Sequence, residues 1–96
     1  MTVSLFVRIE LKPGTRDAFL KRVKVHQNNV RTNESYCQRF DVLVPQEEDD
    51  VVCLYEVYDD EAAFEKHGKT PYFAEYRDDT GPMVAGRART LSTLVE

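Results

Sequence analysis

Val3, Leu5, Val7, Ile9 and Leu11 alternate with Ser4, Phe6, Arg8, Glu10 and Lys12. A period of two predicts a strand with one strongly apolar face. Pro13-Gly14 breaks it. Thr15 then stands where a helix N-cap belongs, with Asp17 in the first turn. From there to about Asn33 the period lengthens. Phe19, Val23, His26 and Val30 fall at i, i+4, i+7 and i+11, which places them on one helical face. His26 is thus expected within an apolar stripe, and Lys21, Lys24, Asn28 and Arg31 outside it. Asn33-Glu34-Ser35 ends the helix.

Tyr36 to Val44 reads as a second strand, Pro45 to Asp50 as an acidic hairpin loop, and Val51 to Tyr58 as a third strand. Both faces of that third strand are largely apolar, Val51, Cys53, Tyr55 and Val57 on one and Val52, Leu54, Glu56 and Tyr58 on the other, so both call for cover. Asp59 or Asp60 can cap a second helix through Ala62, Ala63, Phe64 and His67, weakened at Gly68. Thr70-Pro71 is an N-cap followed by proline at the first helical position, and it starts a further turn of helix to about Asp79. After Gly81-Pro82, Val84 to Val95 reads as the last strand, its period interrupted near Gly86. The order is β-α-β-β-α-β. It predicts an α+β, ferredoxin-like domain over residues 1–96, an antiparallel sheet with both helices on one face. The other face is expected to carry Phe6, Leu54, Tyr58 and their neighbours, with a second copy of the chain as the simplest cover.

A net charge of −4 and the absence of any basic face with interleaved aromatics argue against nucleic acid or anionic lipid as partner. No apolar run reaches the roughly 18 residues of a membrane span, and the N-terminal residues read as strand rather than leader, so a cytoplasmic location is expected. Cys37 and Cys53 read as buried thiols, although spacing alone leaves a disulfide open.

Candidate chemistry centres on two histidines. His26 on the first helix and His67 on the second would both look into the space between helices and sheet, where an imidazole can move protons near neutral pH. Each could equally be a satisfied core histidine. Asp41 and Glu56 lie on adjacent strands among apolar residues, where a carboxylate can have a raised pKa and act as a base, or can pair with Arg39, Arg87 or Arg89. Phe40, Tyr55, Tyr72, Phe73 and Tyr76 could line a pocket for a flat or apolar ligand, the hydroxyls of Tyr72 and Tyr76 reaching a substrate oxygen, or could simply pack the core. No phosphate-binding glycine loop, serine elbow or clustered metal-ligand motif is present, so neither metal nor cofactor is expected.

The segments R-F-D-V-L (Arg39–Leu43) and Y-E-V-Y-D-D-E-A-A-F-x-x-H-x-x-T-P-Y-F (Tyr55–Phe73) resemble the antibiotic biosynthesis monooxygenase (ABM) domain family. The closest likeness is to its small bacterial branch of quinol monooxygenases and the isomerase of a phosphorylated autoinducer. The resemblance spans nearly the whole chain. It implies a dimeric α+β barrel joined through the sheets, with a pocket between helices and sheet in each subunit. It also implies oxidation of a phenolic or quinol-like small molecule by molecular oxygen without metal or flavin, or isomerisation of a small keto-hydroxy compound. His67 matches the histidine of the family's F-x-x-H-x-x-T-P motif, and His26 falls where relatives often have asparagine. The chain departs at Tyr72, where relatives commonly have histidine, and at Ser35-Tyr36, where they often have Pro-Gly. It also lacks the tryptophan found in several oxygenase members, which tilts toward the isomerase. Arg77 stands about where haem-degrading members place an iron-ligating histidine, which argues against haem degradation. On this reading the catalytic candidates are His67, His26 and Asp41. The substrate-binding candidates are Arg39, Phe40, Tyr55, Glu56, Tyr72, Phe73 and Tyr76. Monooxygenase stands first, with isomerase or a non-catalytic binding module as alternatives.

Overall fold

The computed structural model describes residues 1–96. The elements follow as β1 (Val3–Leu11), α1 (Arg16–Asn33), β2 (Cys37–Leu43), β3 (Val51–Tyr58), α2 (Glu61–Gly68), α3 (Pro71–Thr80), a 3-10 turn (Gly81–Met83) and β4 (Val84–Thr93). The strands form one sheet in the order β2-β3-β1-β4, antiparallel throughout. This is the ferredoxin-like α+β arrangement expected from the pattern, with the second helical segment divided into α2 and α3.

Local chemistry accounts for the boundaries. Gly14 takes φ +80°, a left-handed conformation open to glycine, and turns the chain from β1 toward α1. Thr15 occupies the N-cap position of α1 but does not cap through its side chain; its hydroxyl donates to the Lys12 carbonyl at 2.8 Å. Asp60 caps α2, accepting from the Ala63 amide at 2.8 Å. Thr70 caps α3, accepting from the Phe73 amide at 3.3 Å, with Pro71 in the first turn.

The pairing of β1 with β3 decides the faces. Val3, Leu5, Val7 and Ile9 stand opposite Tyr58, Glu56, Leu54 and Val52. Together with Phe19, Val23 and Val30 of α1 they bury the helix-facing side of the sheet. Leu54 and Tyr58 therefore belong to this side, 3% and 0% exposed, and not to the outer face assigned to them from sequence. The outer face carries Phe6, Cys53, Tyr55 and Val57. Both faces of β3 are apolar, so its own pattern could not distinguish them; the single apolar face of β1 does so through the register.

Two irregularities adjust the alternation. In β2, Cys37 pairs with Tyr58 but Arg39 pairs with Val57, so Gln38 is an extra residue. That shift turns Phe40 and Val42 inward and Arg39, Asp41 and Leu43 outward. In β4, Glu10 pairs with Gly86 and Leu11 with Val84, the break in period expected near Gly86. Cys37 and Cys53 are both free thiols.

Candidate active site

The helix-facing side of the sheet is not filled at its centre. A cavity of about 620 Å³ lies between β1, β3, α2 and α3, floored by Leu5, Val7, Ile9 and Leu54. His26 of α1 and His67 of α2 both border it, with ring centroids 5.6 Å apart. The Phe19-Val23-His26-Val30 stripe brings His26 here, and all four residues are buried. Phe40, Phe73 and Tyr76 complete the aromatic wall. The His26 ring stacks on Tyr76 at 4.2 Å and meets the edge of Phe40 at 5.4 Å.

The two imidazoles differ in their surroundings. His26 is 1% exposed and its Nδ1 has no hydrogen-bond partner. Burial, and then the neighbouring His67, push its pKa down to about 4. It is therefore neutral at pH 7. His67, also buried, is anchored through Nδ1 to Glu34, at 2.9 Å from Oε1 and 3.1 Å from Oε2. Its Nε2 lies 3.8 Å from Glu56 Oε1. Glu34 is 2% exposed and accepts a further hydrogen bond from the Tyr72 hydroxyl. Glu56, which also borders the cavity, accepts from the Tyr58 hydroxyl at 2.6 Å. Burial raises the pKa of Glu56, only partly opposed by that hydrogen bond and by His67. Burial likewise raises the phenol of Tyr76 to about 12 and that of Tyr72 further, the latter also because its hydroxyl donates a hydrogen bond to Glu34.

The structure brings the candidates His26, His67, Glu56, Phe40, Phe73 and Tyr76 together around the cavity; Glu56, which the sequence placed with Leu54 on the outer face, lies on the helix-facing side with it. Tyr72 supports the site through Glu34 instead of bordering the cavity. Three expected members lie elsewhere. Asp41 pairs in register with Tyr55 while Phe40 pairs with Glu56, so Asp41 and Glu56 face opposite sides of the sheet. Asp41 is instead ion-paired with Arg39 at 2.5 Å, and Tyr55 shares their outer face. Asp41 is not placed to act in this cavity, nor Arg39 and Tyr55 to bind there. Glu34 was missed by sequence reasoning, although a signal exists. It continues the stripe 19, 23, 26, 30 by one further step of four, just past the helix end. No group of three or more His, Cys, Asp or Glu side chains is disposed to hold a metal ion.

The family profile described as antibiotic biosynthesis monooxygenase matches residues 2–79. The chain belongs to this family. Its fold is shared with solved structures of low sequence identity. One is a candidate antibiotic biosynthesis monooxygenase from Caulobacter crescentus CB15, at TM-score 0.95 and 24% identity over 99% of this chain and 91% of that one. Another is Rv0793 from Mycobacterium tuberculosis, at TM-score 0.90 and 21% identity over 100% of this chain and 97% of that one. A third is PA3566 from Pseudomonas aeruginosa, at TM-score 0.90 and 18% identity over 99% of this chain and 95% of that one. Among curated proteins, none matches this chain in sequence. No helix is long and apolar enough to cross a membrane.

Proposed function

We propose that this ABM-family protein is a monooxygenase that oxidises a small phenolic, quinol-like or enolisable substrate with molecular oxygen, using acid-base residues and no cofactor. The observation that carries the reading is the anchoring of His67. Glu34 accepts from Nδ1, which favours the tautomer with its proton there and leaves the Nε2 lone pair as the basic site. Nε2 removes a proton from the substrate, and Glu34 stabilises the imidazolium that forms. The carbanion or phenolate is then electron-rich enough to reduce dioxygen. For a CH₂ centre, addition of O₂ gives a hydroperoxide. Loss of water from it leaves a carbonyl, so one oxygen atom enters the substrate and the other departs as water. The aromatic wall excludes bulk water from the anion. Neutral His26, stacked on Tyr76, keeps a second positive charge away from His67.

Oxygen uptake with candidate quinols and anthrones tests the reading. Product formation should stop under anaerobic conditions; turnover that continues without oxygen would rule it out.

A second reading, proton transfer between neighbouring carbons of a keto-hydroxy compound, is favoured by Glu56. Its carboxyl borders the cavity 3.8 Å from His67 Nε2, and burial raises its pKa, so a second proton-transferring group stands beside the base. Solvent deuterium entering product without oxygen uptake would select it.

The outer face of the sheet supports a homodimer in either case. Phe6 is 44% exposed there, beside Tyr55 and Val57. A second copy laid against this face would bury them and leave both cavities on the outside of the pair. Sedimentation at micromolar concentration should give twice the chain mass of 11.1 kDa.

A further inference from the structure

Three arginines border the same cavity and take no part in the proton chemistry above. Arg77 comes from α3, and Arg87 and Arg89 from alternate positions of β4, opposite Ile9 and Val7 of β1. None of them has a carboxylate partner, whereas Arg8, Arg22 and Arg39 are each ion-paired, with Glu48, Asp79 and Asp41. Aromatic faces hold two of them instead. Arg77 lies 5.8 Å from the Phe73 ring centroid and Arg89 5.9 Å from that of Phe64. Arg87 is half-buried, and burial together with the nearby Arg77 pushes its pKa down. Two carboxylates line the cavity, exposed Glu65 at the rim and buried Glu56 beside Tyr58 and His67, and neither is ion-paired with any of the three arginines.

This concentration of positive charge occurs in a chain of net charge −4. Guanidinium groups that converge without a counterion repel one another. Over a concave apolar floor they also focus a positive potential on whatever enters. The unpartnered Nδ1 of His26 lies deeper, with only aromatic groups around it in ring contact. The cavity is therefore graded, with cationic donors at its mouth, apolar and aromatic surface below them, and the buried Glu56 carboxyl beside His67 at its inner end.

We propose that the cavity selects an organic anion, whose carboxylate or phosphate is held by Arg87 with Arg77 and Arg89, and whose apolar or aromatic body extends toward His26 and His67. The proposal rests on the reading above that this cavity is the substrate site, and it narrows the substrate class. Guanidinium is suited to either oxyanion because its planar donors match both in bidentate fashion.

The test is anaerobic titration calorimetry of the whole protein with three probes of similar body: hydroquinone, 2,5-dihydroxybenzoate and 4-hydroxyphenyl phosphate. At least one anionic probe should bind about tenfold or more tightly than hydroquinone, as one charge-assisted contact would give. The tighter of the two names the group. Arg87→Gln/Arg89→Gln should reduce that preference to about threefold or less. Arg77→Gln, an exposed substitution that leaves the core untouched, should reduce it in part. Anionic probes that bind no better than hydroquinone, or not at all, would overturn the proposal, as would a preference that survives both variants. Because nothing turns over in this assay, the two readings fail separately. Anion preference without oxygen uptake by any substrate sinks the monooxygenase and leaves the anion site. Oxygen uptake without anion preference does the reverse.

Discussion

The neutral, buried state of His26 makes stability depend on pH in a direction that can be worked out. An ordinary histidine titrates near 6.5, and burial with its neighbour His67 lowers His26 to about 4. The folded state therefore resists protonation that the unfolded chain accepts. The contribution is fully present above the unfolded value and is lost as pH falls through the folded one. The whole gap corresponds to about 3 kcal/mol, and by pH 5 about 2 kcal/mol of it has gone. Other groups also titrate in this range, so the measurement is a double difference. Urea unfolding of the native chain and of His26→Asn should be followed at pH 8 and pH 5. The native chain should lose about 2 kcal/mol more than the variant between the two, a difference in midpoint on the order of 1 M urea. The packing lost with the ring is common to both pH values and cancels. Equal losses in the two proteins would show that His26 is not held neutral, and the surroundings described for it would be wrong.

Further outcomes follow from the same geometry. Glu34→Gln keeps the shape but removes the charge that steadies the His67 imidazolium, so kcat should fall by roughly 10²- to 10³-fold in steady-state oxygen uptake. Unchanged kcat would assign Glu34 a purely structural role. Tyr58→Phe leaves the buried Glu56 oxygen without its 2.6 Å donor and should cost about 1–3 kcal/mol in thermal or urea unfolding. Thr70→Ala removes the side-chain cap of α3 and should cost about 1 kcal/mol by the same assay. Phe6→Glu places a charge in the middle of the outer sheet face. It should shift the sedimentation mass from dimer to monomer while the circular dichroism spectrum stays native. A dimer that withstands the change would put the contact elsewhere.

How far these features could be read beforehand depended on whether a residue's pattern had one interpretation. The alternation of Val3 to Leu11 and the stripe through Phe19, Val23, His26 and Val30 each fit a single period, and both elements appear as expected. Asp60 and Thr70-Pro71 carry cap chemistry that marks helix starts, and both caps form. Leu54 and Tyr58 sat in a strand with two apolar faces, and only pairing with β1 shows which face meets the helices. Asp41 was misplaced because a side chain's face depends on register, and the extra residue at Gln38 resets the phase of β2 without any glycine or proline to announce it. Glu34 was overlooked because its polarity suggested the end of the helix and its solvation. The stripe nevertheless led straight to it, and the partners that justify its burial, His67 and Tyr72, lie more than thirty residues away in sequence.

At the centre of the account is a single act, removal of a carbon-bound proton by His67 Nε2 inside the cavity, which the oxygenase and isomerase readings share. It can be observed without oxygen by incubating anthrone with the protein in deuterated buffer and following loss of its CH₂ signal by NMR. The native protein should accelerate exchange, and His67→Gln should lower the accelerated rate by about 100-fold or more while leaving anthrone binding, measured by fluorescence titration, within a factor of about two. Exchange that proceeds as fast in His67→Gln as in the native protein would contradict it.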